Sequence, residues 1–374
     1  MQHTSPQPDA LPPLEKYRAI LAEAEQIHGV SLWRDAGLRL RSNRSAMASL
    51  IFLIMLGMLS LFAPLLPLQP PLDQNPEFRR LQPPELTPRP LPDFEDVNTA
   101  NRNAYITQSW GEKRGVVVRW MIGLRMAIFG DWTVPSVCGT DALGRDMLSR
   151  LFWGSRVSLI VGIVATLVSL IIGVTYGAIA GYVGGWLDDV MMRIVDILYS
   201  IPFIFVVIFI ITILADETWK ANLERFGVDR IMIFYLLIGA IFWLTMSRVV
   251  RGQVISLRSE QFVEAARVIG ASRGRIIFMH LVPNILGVVI IYLTLTIPSV
   301  MLFEAFLSFL GLGVEAPDIS WGSLANEGMK SITPIRTFWW LVVFPGLALA
   351  GTLYALNFLG DGLRDAMDPR LKNT

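Results

Sequence analysis

The chain has 374 residues, of which 53% are hydrophobic and 17% are charged, and its formal net charge is +1. Soluble proteins carry about 25% charged residues, so the composition argues against a soluble protein, and the small net charge indicates no nucleic-acid partner. The single cysteine, Cys138, excludes an internal disulfide and a metal site of the CxxC kind. The phosphate-binding loop Gly-x-x-x-x-Gly-Lys-Ser/Thr does not occur, so we expect no cofactor and no nucleotide on this chain.

The chain begins with a polar tail, residues 1–46, which contains four prolines. An early apolar core of the signal-peptide kind is missing, so the first apolar run, residues 47–66, is predicted to be a retained membrane anchor. Apolar residues alternate with arginines in residues 32–41, which suits the inner surface of a membrane. Helical spacing predicts a short amphipathic helix earlier in the tail, formed by Leu14, Tyr17, Leu21 and Ala24.

Six apolar runs are long enough to cross a bilayer, which takes about 20 residues of α-helix. The third and fifth runs contain Pro202 and Pro298, which are predicted to bend them. The chain is therefore predicted to be an all-α membrane protein with spans at 47–66, 157–182, 197–214, 231–247, 286–310 and 338–359.

A long polar stretch, residues 67–155, separates the first two spans. Its first part, residues 64–92, carries ten prolines, a composition that favours extended polyproline backbone over a packed core. Residues 116–129 are apolar but too short for a span and include Arg119 and Arg125, so we predict an interfacial or buried helix there.

Arginines are distributed unequally between the loops. Residues 248–280 hold six arginines and two glutamates, whereas residues 215–230 and 312–336 have more acidic than basic side chains. Because basic loops stay in the cytoplasm, both termini are predicted to be cytoplasmic and residues 67–155 to lie outside.

The basic loop, residues 248–284, has the pattern of two helices separated by a break. Gly270 is predicted to supply a left-handed stop between Ser259 and Ser272, which are predicted to cap the two helices. Pro283 is predicted to end the second helix before the fifth span. One face of the first helix is predicted to carry Phe262, Ala265, Ala266 and Ile269.

Small alanines on an exposed helix would let the surface of another protein approach closely. A helix lying on the membrane is the alternative. The spacing resembles the EAA loop of ABC importer permeases, where this helix docks on the ATPase subunit. The resemblance assigns the ATPase-coupling role to Glu264, Ala265, Ala266, Gly270, His280 and Pro283.

Further segments resemble the C-type permeases of oligopeptide and dipeptide importers. They are residues 139–159 (GTDALGRDMLSRLFWGSRVSL), 303–313 (FEAFLSFLGLG) and 360–365 (GDGLRD), and residues 31–50 resemble the oligopeptide members in particular. The resemblance implies the type I importer permease fold, an N-terminal anchor helix plus a five-helix core in residues 156–374. It also implies location in the bacterial inner membrane, in contact with lipid.

The resemblance implies partners as well. They are a second homologous permease that forms a heterodimer, two ABC ATPase subunits that bind the ATP, and an extracytoplasmic peptide-binding protein. The cargo expected is oligopeptides or dipeptides, and nickel chelates, antibiotic peptides and oligosaccharides are alternatives. Residues 67–135 are predicted to help seat the binding protein.

Three features within the spans are candidates for functional or packing roles. Glu304 is a candidate pore or gate residue, because an acid within a membrane is a functional candidate by default; otherwise it pairs with backbone or an arginine. Asp196 is interpreted as a structural interface group. A stripe of small residues packs either within the subunit or against the second permease: Ala165, Ser169, Gly173, Gly177 and Gly181.

The sequence disfavours two other functions. A membrane-embedded hydrolase or transferase needs a nucleophile with a base, or a metal cluster, and no His-x-x-x-His pair occurs. A passive channel would leave the basic loop without a purpose. The sequence therefore predicts a transport subunit and no enzyme.

Overall fold

The computed structural model describes residues 32–88, 91, 99–111, 115–214, 230–314 and 316–367. This part of the chain is built from helices, with one isolated antiparallel bridge between Thr140 and Asp146. The helices before the second span are α1 (Leu32–Ser42), α2 (Arg44–Leu61), α3 (Pro76–Arg79), α4 (Thr99–Trp110) and α5 (Val116–Phe129). Those that follow are α6 (Met147–Val183), α7 (Gly185–Ser200), α8 (Phe203–Leu214), α9 (Arg230–Leu257), α10 (Gln261–Val268), α11 (Arg273–Arg275), α12 (Val282–Phe309), α13 (Trp321–Ser331) and α14 (Trp340–Met367).

Five helical stretches in the described residues are long and apolar enough to cross a membrane, and α7 with α8 makes a sixth if the bent pair is one span. The prediction of an all-α membrane protein is confirmed. The amphipathic helix predicted from Leu14 to Ala24 lies outside the described residues.

The predicted bend of the third span at Pro202 is confirmed, and the span begins earlier than the predicted residue 197. Helix α7 ends at Ser200, and α8 leaves it at an angle of 80°. Ile201 has extended backbone, with φ −84° and ψ 121°, because the ring of Pro202 disfavours helical geometry in the residue before it. Pro298, by contrast, lies inside α12, which continues through it.

Several helices extend beyond the apolar runs that predicted them. Helix α6 begins at Met147 rather than at residue 157, and α9 continues to Leu257 rather than ending at residue 247. Hydrophobicity marks the part of a helix that crosses lipid, and hydrogen bonding continues the helix into polar surroundings. The added turns of α9 carry Arg248 and Arg251, which both pair with carboxylates of α7.

The stripe of small residues on α6 packs within this chain, against α9. A Cβ atom on Gly177 would lie 2.3 Å from the carbonyl oxygen of Ser247, and one on Gly173 would lie 2.6 Å from Cβ of Met246. Gly181 meets the carbonyl of Arg251 in the same way, at 2.8 Å. The two backbones therefore touch, which is the close approach that small residues permit in membranes.

The proline-rich segment contradicts the prediction that it lacks a packed core. Residues 68–71 are buried, and the backbone N–H of Val134 donates to the carbonyl of Pro67 at 2.8 Å. Leu81 N–H donates to Asp141, and Thr140 N–H donates to Gln82, both at 3.0 Å. Prolines lack a donor but keep their carbonyls, so the segment can accept and exchange hydrogen bonds with residues 134–143.

Helix α5 confirms the prediction of a short helix at residues 116–129. Its Arg125 is fully buried and donates to the carbonyls of Gly130 at 3.0 Å and Trp132 at 2.9 Å. The guanidinium thus satisfies carbonyls just beyond the end of its own helix, which explains how an arginine is accommodated on an apolar helix.

The contact between α6 and α9 can be tested with two alanine substitutions. Gly177→Ala should destabilise the protein by about 1–3 kcal/mol, because the added methyl meets backbone atoms that cannot move aside as side chains do. Gly57→Ala in α2 is the matched control, since a Cβ there meets nothing within 4 Å. Thermal unfolding in detergent measures both, and equal melting temperatures would contradict the assigned contact.

Candidate coupling loop and buried ion-pair network

The basic loop folds as a helix, a left-handed glycine and a second helix. Gly270 has φ +83°, as predicted. Ser272 caps α11 by accepting a hydrogen bond from the N–H of Arg275 at 3.4 Å, also as predicted. The predicted cap Ser259 is wrong, because the N-cap residue of α10 is Glu260, whose side chain makes no capping hydrogen bond.

Pro283 does not end the second helix. The chain is helical from Arg273 to Phe309, with a π-helical turn at Ile276–Leu281 between α11 and α12. Pro283 lies in the first turn of α12, a position where the missing N–H of proline is tolerated. His280 lies in the π turn, half-buried, and its carbonyl accepts a hydrogen bond from Asn284 at 2.7 Å.

The buried face of α10 differs from the predicted one. Val263 and Ala266 pack into a cluster with Ile276, Ile277 and Leu281, whereas Phe262, Ala265 and Ile269 are exposed. One predicted member of the face, Ala266, is therefore buried. The prediction failed because the apolar residues of this helix surround it on more than one side, and spacing alone does not show which side meets the core.

The exposed side of α10 and the residue after it carry apolar side chains beside polar ones. Val268 is 87% exposed and Ile269 is 83% exposed, and Glu264 and Ala265 share this surface. Exposed apolar side chains of this kind can be covered either by another protein or by the membrane.

Polar contacts tie the loop to the spanning helices. The Arg267 guanidinium lies 5.3 Å from the ring centroid of Tyr182 at the end of α6. Arg251 makes two hydrogen bonds with Asp188 of α7, at 2.5 and 2.6 Å, and Arg258 donates to the carbonyl of Gly181 at 3.3 Å. The loop therefore rests on a base formed by α6, α7 and α9.

Glu304 is fully buried within this chain. Its carboxylate accepts hydrogen bonds from Ser308 at 2.7 Å and from Ser158 of α6 at 3.4 Å. Ser158 in turn accepts from the N–H of Trp321 at 3.2 Å. Glu304 thus joins α12, α6 and the start of α13, and its pore or gate role stays a prediction.

A buried ion-pair network on the other side of the molecule has no counterpart in the predicted site. Asp141 pairs with Arg145 at 2.7 Å and with Arg150 at 2.6 Å, and Glu327 of α13 pairs with the same two arginines at 2.8 and 2.6 Å. Asp141 and both arginines are buried. The spacing of four residues between Asp141 and Arg145 was a signal available in the sequence. The pairing of Arg145 with Glu327 was not, because the two residues are 182 positions apart.

Burial changes the acid–base chemistry of two groups near this network. Asp146 caps α6 by accepting from the N–H of Ser149 at 2.7 Å, and burial raises the pKa of its carboxyl to about 6. Burial, together with the nearby Asp146, raises the pKa of the Cys138 thiol to about 12. Cys138 is therefore a poor target for thiol reagents, which react with the thiolate.

The loop also contains a Gly-x-Ser-x-Gly sequence. Residues Gly270–Gly274 read Gly-Ala-Ser-Arg-Gly, which fits the Gly-x-Ser-x-Gly pattern of hydrolases. That pattern requires a serine on a turn between a strand and a helix. Ser272 instead lies between α10 and α11 and uses its side chain as a helix cap. Ser272 therefore lacks the strand-to-helix position of a hydrolase nucleophile.

Comparison with known proteins decides the family. The profile of the binding-protein-dependent transport system inner membrane component matches residues 173–373. The chain belongs to this family. A second profile, the N-terminal TM domain of oligopeptide transport permease C, matches residues 31–84 of the permease.

Named relatives agree with this assignment. The permease is 41% identical over 351 residues to the oligopeptide transport system permease protein OppC of Salmonella typhimurium, covering 93% of this chain and 95% of that one. It is 34% identical over 360 residues to OppC of Bacillus subtilis, covering 96% and 97%. The dipeptide permease DppC of Bacillus subtilis is 39% identical over 234 residues, 63% of this chain and 68% of that one.

A solved structure of the MetNI methionine ABC transporter also matches, with a TM-score of 0.46 and 19% identity over 59% of this chain and 98% of that chain. The two family profiles and the named relatives confirm the resemblance to C-type peptide permeases and the predicted importer-permease fold. The permease is an inner membrane component of a binding-protein-dependent transport system.

The raised pKa of Asp146 predicts a pH dependence of the permease. Because its folded-state pKa, about 6, exceeds the ordinary value of 3.8, proton binding favours the folded state, and this contribution is lost as pH rises through 6. The parent should be more stable at pH 5 than at pH 8 by on the order of 1 kcal/mol from this group.

Asp146→Asn keeps a cap acceptor and should remove that difference. Melting temperatures of the parent and the Asn variant at pH 5 and pH 8 measure the effect. Nearby Glu327 stays ionised across this window: burial alone would raise its pKa, but the Arg150 hydrogen bond and charge lower it overall. Identical pH profiles for the two proteins would contradict the role of Asp146.

Proposed function

We propose that this chain is a permease subunit of an ATP-binding-cassette importer for peptides. The observation that carries the proposal is the uncovered apolar side of α10, where Val268 and Ile269 are among the most exposed apolar side chains of the described chain. The peptide cargo is supported by the 41% identity to an oligopeptide permease. Nickel chelates, antibiotic peptides and oligosaccharides are the alternative cargoes.

The complex proposed here contains a second, homologous permease that completes the pore, two ATPase subunits and an extracytoplasmic peptide-binding protein. ATP binds the ATPase subunits, and this chain performs no bond chemistry. Closure of the ATPases moves α10, and the movement passes through packed side chains, Val263 and Ala266, and through Arg267 to Tyr182 of α6. The spanning helices then open the pore toward the outside.

The residues of the loop have separate roles in this mechanism. Glu264 and Ala265 lie on the exposed surface and contact the ATPase, while Ala266 packs inward and transmits the movement. Gly270 reverses the chain direction between the two helices. His280 and Pro283 lie in the turns that lead into α12 and set its orientation relative to α10.

The proposed orientation places the loop and both termini in the cytoplasm and residues 67–155 outside, since the six arginines of residues 248–280 follow the positive-inside rule. On that side, residues 67–135 help to seat the binding protein. Exposed apolar side chains there, Phe78, Leu86 and Val116, support a contact with another protein.

Coupling can be tested at Gly270. A residue with a Cβ loses about 1–2 kcal/mol in left-handed backbone, so Gly270→Val should reorient α10 without touching the spans. A Cβ at this position meets nothing within 4 Å, so the effect comes from the backbone alone. Gly274→Val is the matched control, because its site is equally open and its φ is ordinary.

The assembled complex in proteoliposomes provides the measurement. Gly270→Val, Glu264→Lys and Val268→Asp should each abolish the stimulation of ATPase activity by peptide-loaded binding protein, and uptake with it, while Gly274→Val should retain both. Normal transport by the Gly270 and Val268 variants would argue for a loop that lies on the membrane. Conduction by the purified chain without ATPases would favour a passive channel.

Orientation can be tested with two introduced cysteines. Leu86→Cys and Val268→Cys both lie at highly exposed positions. A membrane-impermeant thiol reagent should label the first in intact spheroplasts and the second only after the membrane is opened. The natural Cys138 adds little background, because it is buried and its pKa is raised. Labelling in the reverse order would invert the proposed topology.

A further inference from the structure

Four polar side chains from two helices form an exposed cluster. Arg248 of α9 pairs with Asp196 of α7 at 2.7 Å, although their side chains are 44% and 62% exposed. The same guanidinium lies 4.3 Å from the ring centroid of Tyr199, and the Tyr199 hydroxyl shares a hydrogen bond with Thr245. Asp196, Tyr199, Thr245 and Arg248 are here called the polar strip.

The polar strip lies at the loop-side boundary of the hydrocarbon core. At 1.5 Å per residue, Thr245 is about 22 Å and Arg248 about 27 Å along α9 from its first residue, Arg230. The hydrocarbon core is about 30 Å thick. Charged side chains within that thickness face the interior of an assembly or a water-filled cavity.

The exposed face of α9 changes character along its length. Exposed residues recur every three to five positions, and in the half near Arg230 they are apolar, whereas in the half that leads to the basic loop they are polar or small. The first set is Met232, Leu236 and Ala240, and the second is Thr245, Arg248, Gly252 and Ser256.

Gly252 belongs to this face and has no packing role within the subunit. A Cβ there would meet nothing within 4 Å, in contrast to the glycines of α6 that touch α9. A glycine in the middle of a helix lowers helix stability. No contact within this chain requires a glycine at position 252. The gap it leaves lies one turn from Arg248.

The polar strip is not needed to hold α7 on α9. The pair Asp188–Arg251 joins the same helices with two hydrogen bonds, and its side chains are only 10% and 34% exposed. An exposed ion pair contributes little to holding two helices together. The Asp196–Arg248 pair therefore has its polar groups available to whatever occupies the space beside it.

We propose that the polar strip and Gly252 line the loop-side half of the water-filled path through which a peptide passes. The proposal rests on the proposed function. A peptide carries ammonium, carboxylate and amide groups. Asp196 can leave Arg248 to pair with the ammonium group, and Arg248 can then pair with the carboxylate. Tyr199 offers an aromatic face. Because the pair is neutral in sum, it favours no one net charge of peptide.

Accessibility of Thr245 tests the proposal. Thr245→Cys is a small change that leaves the ion pair intact, and it is introduced into the complete complex, whose assembly is verified by copurification with the ATPase subunits. Ile171→Cys in α6 is the control, since Ile171 is exposed among the exposed apolar residues Ile163 and Leu167. A charged methanethiosulfonate reagent is added to inside-out membranes.

Thr245→Cys should react more than about tenfold faster than Ile171→Cys, because apolar surroundings disfavour the thiolate by pKa shifts of several units. Addition of the cargo peptide with binding protein and ATP should slow the reaction. Equal, slow labelling of both cysteines would overturn the proposal. Labelling of Thr245→Cys in the isolated subunit but not in the complex would also overturn it, because that result would identify a contact with the second permease.

A transport measurement completes the test. The double variant Asp196→Asn with Arg248→Gln removes both charges and should lower peptide uptake by a complex that still copurifies with the ATPase subunits. Unchanged uptake would count against contact between the strip and the peptide. Failure of the parent complex to import peptides would instead reject the proposed function. The labelling rate of Thr245→Cys does not depend on transport, so the two failures can be distinguished.

Discussion

The backbone contact between α6 and α9 sets the positions of the other parts of the transport core. Gly177 brings α6 against the carbonyl of Ser247 because no side chain intervenes. One turn later α9 carries Arg251, which fixes α7 through Asp188, and Val250 and Val254 enter the cluster that holds α10. A small change in the distance between α6 and α9 would therefore displace both the basic loop and the polar strip.

At the opposite end of the molecule, buried charges join separate segments of the chain. Asp141, Arg145, Arg150 and Glu327 neutralise one another while joining the segment before α6 to α13. Removing one member of such a buried network leaves an uncompensated charge, which is why paired burial is required there. Glu304 continues the connection inward through serine hydroxyls.

Sequence patterns predicted those features that depend on local chemistry. Apolar runs located the spans, and Gly270 and Ser272 predicted the break in the loop because a left-handed residue and a helix cap act within a few residues. Features that depend on distant partners were missed. Examples are the pairing of Arg145 with Glu327, the inward face of α10 and the burial of residues 68–71, because each is determined by a segment far away in the chain.

The π-helical turn at Ile276–Leu281 has a mechanical consequence for the loop-to-membrane connection. A continuous α-helix is stiff, so a displacement at one end reaches the other end undiminished. A π turn contains an extra residue, and shifting the hydrogen-bond register by one residue would rotate α12 by about 100° relative to α11. A rotation of α11 can therefore be taken up at the π turn by a change of hydrogen-bond register. Helix α12 then turns in discrete steps while the chain from Arg273 to Phe309 stays helical.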